Sequence, residues 1–233
     1  MDQKSLKIHL GCGQKYLAGY VNVDYPASEH SVMQVKADVY TDIRKLEYPE
    51  NSLEEVRNHH LLEHFSRAEA LKLLLKWRSW LKVGGVLHLE TPDFGRSAEK
   101  FEWADRKMRF ELARHMLGSQ EAQWAYHLDY WDKDKYQFVL SLLGFTGIKI
   151  RRYSNSLAQK YPRLPFGNLL GDLLPNAVYH KKGGHKLPNI EVIAVKSAKN
   201  INEREAAEQV LRLSLVGSES GELLAVWMKD AGF

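Results

Sequence analysis

Reactive side chains gather in three short stretches of this 233-residue chain. Leu6-Lys7-Ile8-His9-Leu10-Gly11-Cys12-Gly13 reads as a strand running straight into a Gly-x-Gly turn, and glycines there let the backbone approach a ligand that a Cβ would repel. Val21-Asn22-Val23-Asp24 reads as a second strand ending in a carboxylate, placed to accept hydrogen bonds from both hydroxyls of an adenosine ribose. His60-Leu61-Leu62-Glu63-His64 follows a further strand-like segment, at the edge where open α/β sheets bind their ligands. Each has an ordinary structural alternative: a tight turn, a strand-end aspartate, and histidines that are solvated or begin a helix.

Spacing narrows the ligand. A dinucleotide fingerprint needs a third glycine at position 16 and an acid about 20 residues on. The chain has Tyr16, and Asp24 comes much sooner, so a nicotinamide enzyme is disfavoured. Cys12 is the single cysteine and no Cys/His spacing resembles a zinc site, so we expect a reducing compartment and no metal. Met1 to Lys7 is polar, and no run of about 18 apolar residues occurs. The expectation is a cytoplasmic protein that does not span a membrane.

The elements that must position these residues alternate between strand-like and helix-like, the pattern of a parallel sheet with crossover helices. With 44% hydrophobic residues the chain can bury one sizeable core. Strands are expected near Leu6–Leu10, Tyr20–Asp24, Met33–Lys36, Glu54–His59, Val86–Glu90, Gly147–Arg152 and Ile190–Lys196. Ser66 and Glu69 form a capping box ahead of the stripe Leu71, Leu74, Leu75 and Leu81, a helix that Gly84 and Gly85 should stop. Further helices are expected over Ser97–Leu117, Asp134–Leu143 and Asn202–Leu215. The fold class is therefore α/β, with the first unit over 1–198 and a C-terminal helical extension over 199–233.

At these residues the chain resembles the class I S-adenosylmethionine (SAM)-dependent methyltransferases, and within them the predicted methyltransferases of bacterial surface-glycan and lipopolysaccharide gene sets. The resemblance covers about residues 6 to 150. It is carried by L-G-C-G-x(5)-G-Y-x-N-V-D over Leu10 to Asp24, by D-I-x-x-L-x-[FY]-x-x-N-S over Asp42 to Ser52, and by H-x-L-E-H over His60 to His64. Gly118-Ser119-Gln120, Tyr126-His127 and Leu142-Leu143-Gly144-Phe145 match later elements, while Glu47 stands where the family usually has proline. The resemblance implies a Rossmann-like doubly wound seven-stranded sheet, mostly parallel, with an antiparallel last strand. It implies that Gly11, Cys12, Gly13, Asp24 and His60 frame SAM, that Asp42 reads the adenine amino group with Asp38 as a competitor, and that Ile43 packs on the adenine face.

The catalytic candidates are His127, Asp93 and His64. The resemblance places His127 in the loop over the acceptor, residues 119–130, and an imidazole nearly neutral at pH 7 there could take a proton from a hydroxyl. Such a base is not required, because displacement on an activated sulfonium carbon is accelerated chiefly by alignment and desolvation. Asp93 either acts on substrate or caps the following helix.

The expected activity is O-methylation of a sugar, glycan or other small-molecule acceptor. Alternatives are methylation of a different small molecule or of nucleic acid, and an inactive SAM-fold partner subunit. Neither Asn58-His59-His60-Leu61 nor Thr91-Pro92-Asp93-Phe94 gives the Asn/Asp-Pro-Pro-aromatic motif of DNA amino methylation, so a nucleic-acid partner is not expected. The net charge of +4 concentrates in residues 149–186, where Lys149, Arg151, Arg152, Lys160, Arg163, Lys181, Lys182 and Lys186 interleave with aromatics. This basic insertion, 154–188, reads as an acceptor lid, a solvated insertion or a contact with an anionic membrane at its inner face.

Overall fold

Short apolar strands covered on both sides bury nearly every side chain, a rule that Lys7–Leu10 and Val21–Asp24 follow and that Leu53–Asn58, with Glu54, Glu55 and Arg57 half-buried, follows in part. A computed structural model describes residues 6–29, 34–154, 187–219 and 221–233. The strands are β1 (Lys7–Leu10), β2 (Val21–Asp24), β3 (Val39–Tyr40), β4 (Leu53–Asn58), β5 (Leu81–Pro92), β6 (Phe145–Ser154) and β7 (Pro188–Lys196). Ile8, Leu10, Val23, Leu53, Val56, Leu87 and Leu89 are wholly buried.

They form one sheet in the order β3-β2-β1-β4-β5-β7-β6. β7 runs antiparallel to β5 and β6, and the remaining pairs are parallel. This is the seven-stranded, mostly parallel sheet expected, with its last strand reversed. The strand order turns back between β1 and β4, and in open α/β sheets the crevice beyond the carboxyl ends at such a point is where ligands bind.

The helices are α1 (Arg67–Trp80), α2 (Phe94–Trp103), α3 (Arg106–Leu117), α4 (Lys133–Leu142), α5 (Glu203–Arg212) and α6 (Gly221–Ala231). The Ser66 capping box is present in both directions, with Glu69 N–H donating to Ser66 Oγ at 3.3 Å and Ser66 N–H to Glu69 Oε2 at 3.4 Å.

Several expected boundaries move. The third strand is Val39–Tyr40 rather than Met33–Lys36, of which Met33 lies outside the described residues. Asp38 sets this register, since its Oδ2 accepts both Asn22 N–H at 2.8 Å and Asn22 Nδ2 at 3.0 Å. Gly84 and Gly85 do not stop α1: the helix ends at Trp80, Leu81 turns extended and pairs with Leu53, and the glycines lie inside β5. The single helix expected over Ser97–Leu117 is two, because Asp105 caps α3 by accepting Met108 N–H at 2.8 Å.

After β7 the chain makes two helices, of which α6 was not anticipated. Ala206, Ala207 and Leu211 of α5 and Leu224, Met228 and Ala231 of α6 join the same core as the sheet and α1.

Candidate active site at the carboxyl edge of the sheet

At the end of β1, Gly11 has φ +62° and a Cβ there would lie 2.8 Å from Leu61 Cδ1. The left-handed φ favours glycine, and a side chain there would also push the Leu61 side chain aside. Gly13 N–H donates to Asp24 Oδ2 at 2.6 Å, and Tyr25 N–H donates to Asp24 Oδ1 at 2.7 Å. The tip of β2 is thus a buried carboxylate that holds the glycine turn in place. The Cys12 thiol is pushed up to about 12 by burial and by the neighbouring Asp24 charge, so it stays protonated and serves as a small packing group.

Asp42 caps the short 3-10 turn Ile43–Lys45, accepting Arg44 N–H at 2.9 Å. The Arg44 guanidinium also reaches it, with Nε at 3.0 Å from each oxygen and NH2 at 2.7 Å from Oδ2. Burial would raise this carboxyl, but Arg44 outweighs burial and holds it below the ordinary carboxylate range. Asp38 is committed elsewhere, accepting from Asn22 and from the Tyr16 hydroxyl at 2.8 Å.

Beyond β4 the backbone enters the left-handed region at His60, φ +48°, an arrangement that costs a non-glycine residue about 1–3 kcal/mol and tends to persist at functional sites. His60 Nδ1 stands 3.3 Å from Glu63 Oε1 and His60 Nε2 3.5 Å from Glu90 Oε1, while His59 Nδ1 is 3.0 Å from Glu90 Oε1. Burial opposes a charge on His60, but the two carboxylates outweigh it and raise its pKa to about 9. Glu63 is 2% exposed and is held below its ordinary range by His60 despite its burial.

His127 lies on the other side of Glu63, with Nε2 4.0 Å from Oε1 and its pKa pushed down to about 4 by burial. The rings of His64 and His127 meet edge to face at 4.7 Å. Gly118, φ +87°, closes this loop: a Cβ there would fall 2.1 Å from the Ala125 carbonyl oxygen.

Several of these groups open onto a cavity of about 910 Å³, within the usual range for small-ligand sites. Gly11, Cys12, Gly13, Asp24, Asp42, His60 and His64 all line it. So do Tyr25, Phe65 and Trp124, which sequence reasoning missed; Trp124 Nε1 donates to the Glu29 carbonyl at 2.8 Å, bridging the cavity's two rims. The position of Trp124 within residues 119–130, the loop expected over the acceptor, is the only signal that would have found it.

No family model matches this sequence, and no curated protein matches it. Among solved structures, a SAM-dependent methyltransferase from Methanosarcina mazei superposes with a TM-score of 0.50 at 12% identity, covering 85% of this chain and 95% of that one. A SAM-dependent methyltransferase from Archaeoglobus fulgidus gives 0.48 at 17% identity, covering 82% and 86%. One from Mesorhizobium loti gives 0.48 at 13%, covering 84% and 94%. The fold is that of the SAM-dependent methyltransferases. At such identities the likeness concerns the fold.

Within that fold, some expected site residues stand apart from the cavity. Ile43 is 6% exposed and belongs to the hydrophobic core, not to the lining. Asp93 is wholly buried, caps α2 by accepting Arg96 N–H at 3.1 Å, and accepts Arg152 Nε at 2.5 Å and NH2 at 3.0 Å. Of its two expected roles, the structure places it in the helix cap. His127 stands behind His64 rather than in the lining itself.

Arg151 is likewise paired, with Glu191 at 2.6 Å, although it and Lys149 are both exposed on β6. Lys160, Arg163, Lys181, Lys182 and Lys186 lie outside the described residues. No helix among the described residues is long and apolar enough to cross a membrane.

Proposed function

We propose that this chain is a SAM-dependent methyltransferase that O-methylates a sugar or glycan-like hydroxyl acceptor. The observation that carries the cofactor half is the cradle at the β1–β4 switch point, where the Gly11–Gly13 turn lines the cavity and Asp24 is clamped at the tip of β2 by Gly13 N–H. SAM, when bound, supplies a methyl carbon on a positively charged sulfonium. Asp24 is positioned to accept the ribose hydroxyls, Asp42 and Arg44 form the far wall, and His60 marks the boundary with the acceptor side.

The acceptor half rests on the lining. Trp124, Tyr25 and Phe65 offer flat apolar faces beside the polar groups of Gln123, Glu69 and His64, a mixture suited to a ring carrying hydroxyls. His127 is the leading proton acceptor, since burial keeps its imidazole neutral at pH 7. Methyl transfer from radiolabelled SAM to a panel of glycan, metabolite and RNA acceptors tests the assignment. Product labelled on a sugar hydroxyl is the expected outcome; turnover confined to RNA would overturn the acceptor class.

A further inference from the structure

Buried carboxylates need compensating charge, and at this sheet edge it is scarce. Glu63 and Glu90 are 2% and 5% exposed, and His60 is shared between them. His59 Nδ1 lies against Glu90 and 3.2 Å from Lys15 Nζ. Both Glu63 oxygens are sealed from solvent, and the one donor close to them, His60 Nδ1 at 3.3 Å from Oε1, is the imidazole that Glu90 also uses. A buried carboxylate with one shared partner is costly unless something further binds it.

What faces it are two imidazoles. One donor atom from each of Glu63, His64 and His127 lies within 4.8 Å of the others. His64 Nδ1 is 3.1 Å from the Tyr126 carbonyl oxygen. A carbonyl only accepts, so Nδ1 carries the proton and Nε2 keeps its lone pair, the orientation that outer-sphere contacts impose on metal-binding histidines.

The two segments are also fastened together. Leu128 and Asp129 N–H groups donate to the Glu63 carbonyl at 2.8 and 3.3 Å, and His127 N–H donates to the Leu117 carbonyl at 3.2 Å. A preorganised backbone carrying a carboxylate and two imidazoles is the construction of a metal centre.

We propose that Glu63, His64 and His127 bind one divalent transition-metal cation on the acceptor side of the cavity. Mixed imidazole and carboxylate donors suit Zn²⁺, Mn²⁺, Fe²⁺ or Co²⁺ better than Mg²⁺ or Ca²⁺, and three protein ligands leave a position for substrate. Metal–nitrogen distances of about 2.0–2.1 Å put ligand atoms about 3.0–3.4 Å apart, so the 4.0 Å between His127 Nε2 and Glu63 Oε1 closes by side-chain rotation. This reverses the expectation, drawn from Cys/His spacing, that no metal is held.

Its use rests on the methyl-transfer reading. A hydroxyl bound at the open position releases its proton to solvent more readily. Its oxygen then bonds to the methyl carbon while the carbon–sulfur pair returns to sulfur. With the metal bound His127 is a ligand and the proton goes to solvent; the proton-acceptor role proposed above is that of the metal-free protein.

Titration of the metal-stripped full chain with Co²⁺, followed by visible absorption and calorimetry, tests the site, with SAM binding measured on the same samples. One equivalent of Co²⁺ with ligand-field bands is expected, and His64→Ala should weaken it at least tenfold. Glu63→Gln should do the same; His64→Ala, at the cavity wall, remains informative if the buried Gln variant misfolds. Absent Co²⁺, Zn²⁺ and Mn²⁺ binding with SAM binding retained would overturn the metal site and leave the cofactor reading standing. Metal binding that both variants retain would place it elsewhere and overturn the proposal. Metal bound at these residues without SAM would uphold the site and remove the methyltransferase reading instead.

Discussion

Asp24→Asn separates the two tasks assigned to this carboxylate. The change is nearly isosteric, so no cavity forms at a residue that is 6% exposed. The native side chain accepts Gly13 N–H on Oδ2 and Tyr25 N–H on Oδ1, at 2.6 and 2.7 Å. An amide has one carbonyl oxygen, so one of these donors must face an NH₂ group. Leaving a buried donor unsatisfied costs about 1–3 kcal/mol. For a chain of this length that lowers the melting temperature by several degrees, at about 2–4 °C per kcal/mol. The ribose hydroxyls lose a charged acceptor as well, for which about 1.5–3 kcal/mol is the ordinary range, or roughly 10- to 150-fold in affinity. Thermal melting and calorimetric SAM titration read the two effects independently. A variant that melts early yet binds SAM as tightly as wild type would show that Asp24 only clamps the glycine turn, and would refute the ribose assignment.

Three further outcomes follow from the same structure. His127→Asn should keep SAM affinity while lowering turnover by about 10²-fold, and loss of SAM affinity instead would put His127 in the cofactor pocket. Gly118→Ala places a Cβ 2.1 Å from the Ala125 carbonyl oxygen, so the loop carrying Trp124 and His127 must move; we expect a loss of about 1 kcal/mol or more and weaker SAM binding, and an unchanged melt would argue against the loop closure. His88, whose Nε2 is 3.0 Å from Glu191 Oε1, has its pKa raised because Glu191 and Glu55 outweigh burial. Its contribution is complete below pH 6.5, the unfolded value, and is lost as pH rises through the raised folded one, while Glu191, held at about 2 chiefly by His88, stays ionised throughout. The urea stability gap between wild type and His88→Gln should therefore be larger at pH 5.5 than at 8.5, on the order of 1 kcal/mol, and a gap independent of pH would contradict the pairing.

Much of the scaffold is legible because its signals are local. A strand ending in Gly11 and Gly13, a strand ending in Asp24, and the Ser66–Glu69 capping box each declare themselves within a few residues. The same locality brought Gly11, Cys12, Gly13, Asp24, Asp42, His60 and His64 into one cavity wall. What escaped depends on distant contacts. The register of β3 follows from Asp38 reaching Asn22, 16 residues away, and Trp124 closes the cavity through the carbonyl of Glu29, 95 residues away. Neither has a spacing to read. The α2–α3 break was visible in principle, since Asp105 is a good cap, but the apolar period of Phe101, Met108 and Leu112 continues across it. Glu63, between Leu62 and His64 in H-L-L-E-H, gives no sign of its burial; the loop around His127 folds over it.

The central claim is that the cradle formed by Gly11, Gly13 and Asp24 holds SAM. Calorimetric titration of the full chain with SAM, its demethylated product and NADH tests it most directly. The account predicts one equivalent of SAM and one of the product, each abolished or sharply weakened by Asp24→Asn, and no binding of NADH. Binding of NADH with none of SAM would leave the fold intact and contradict the function.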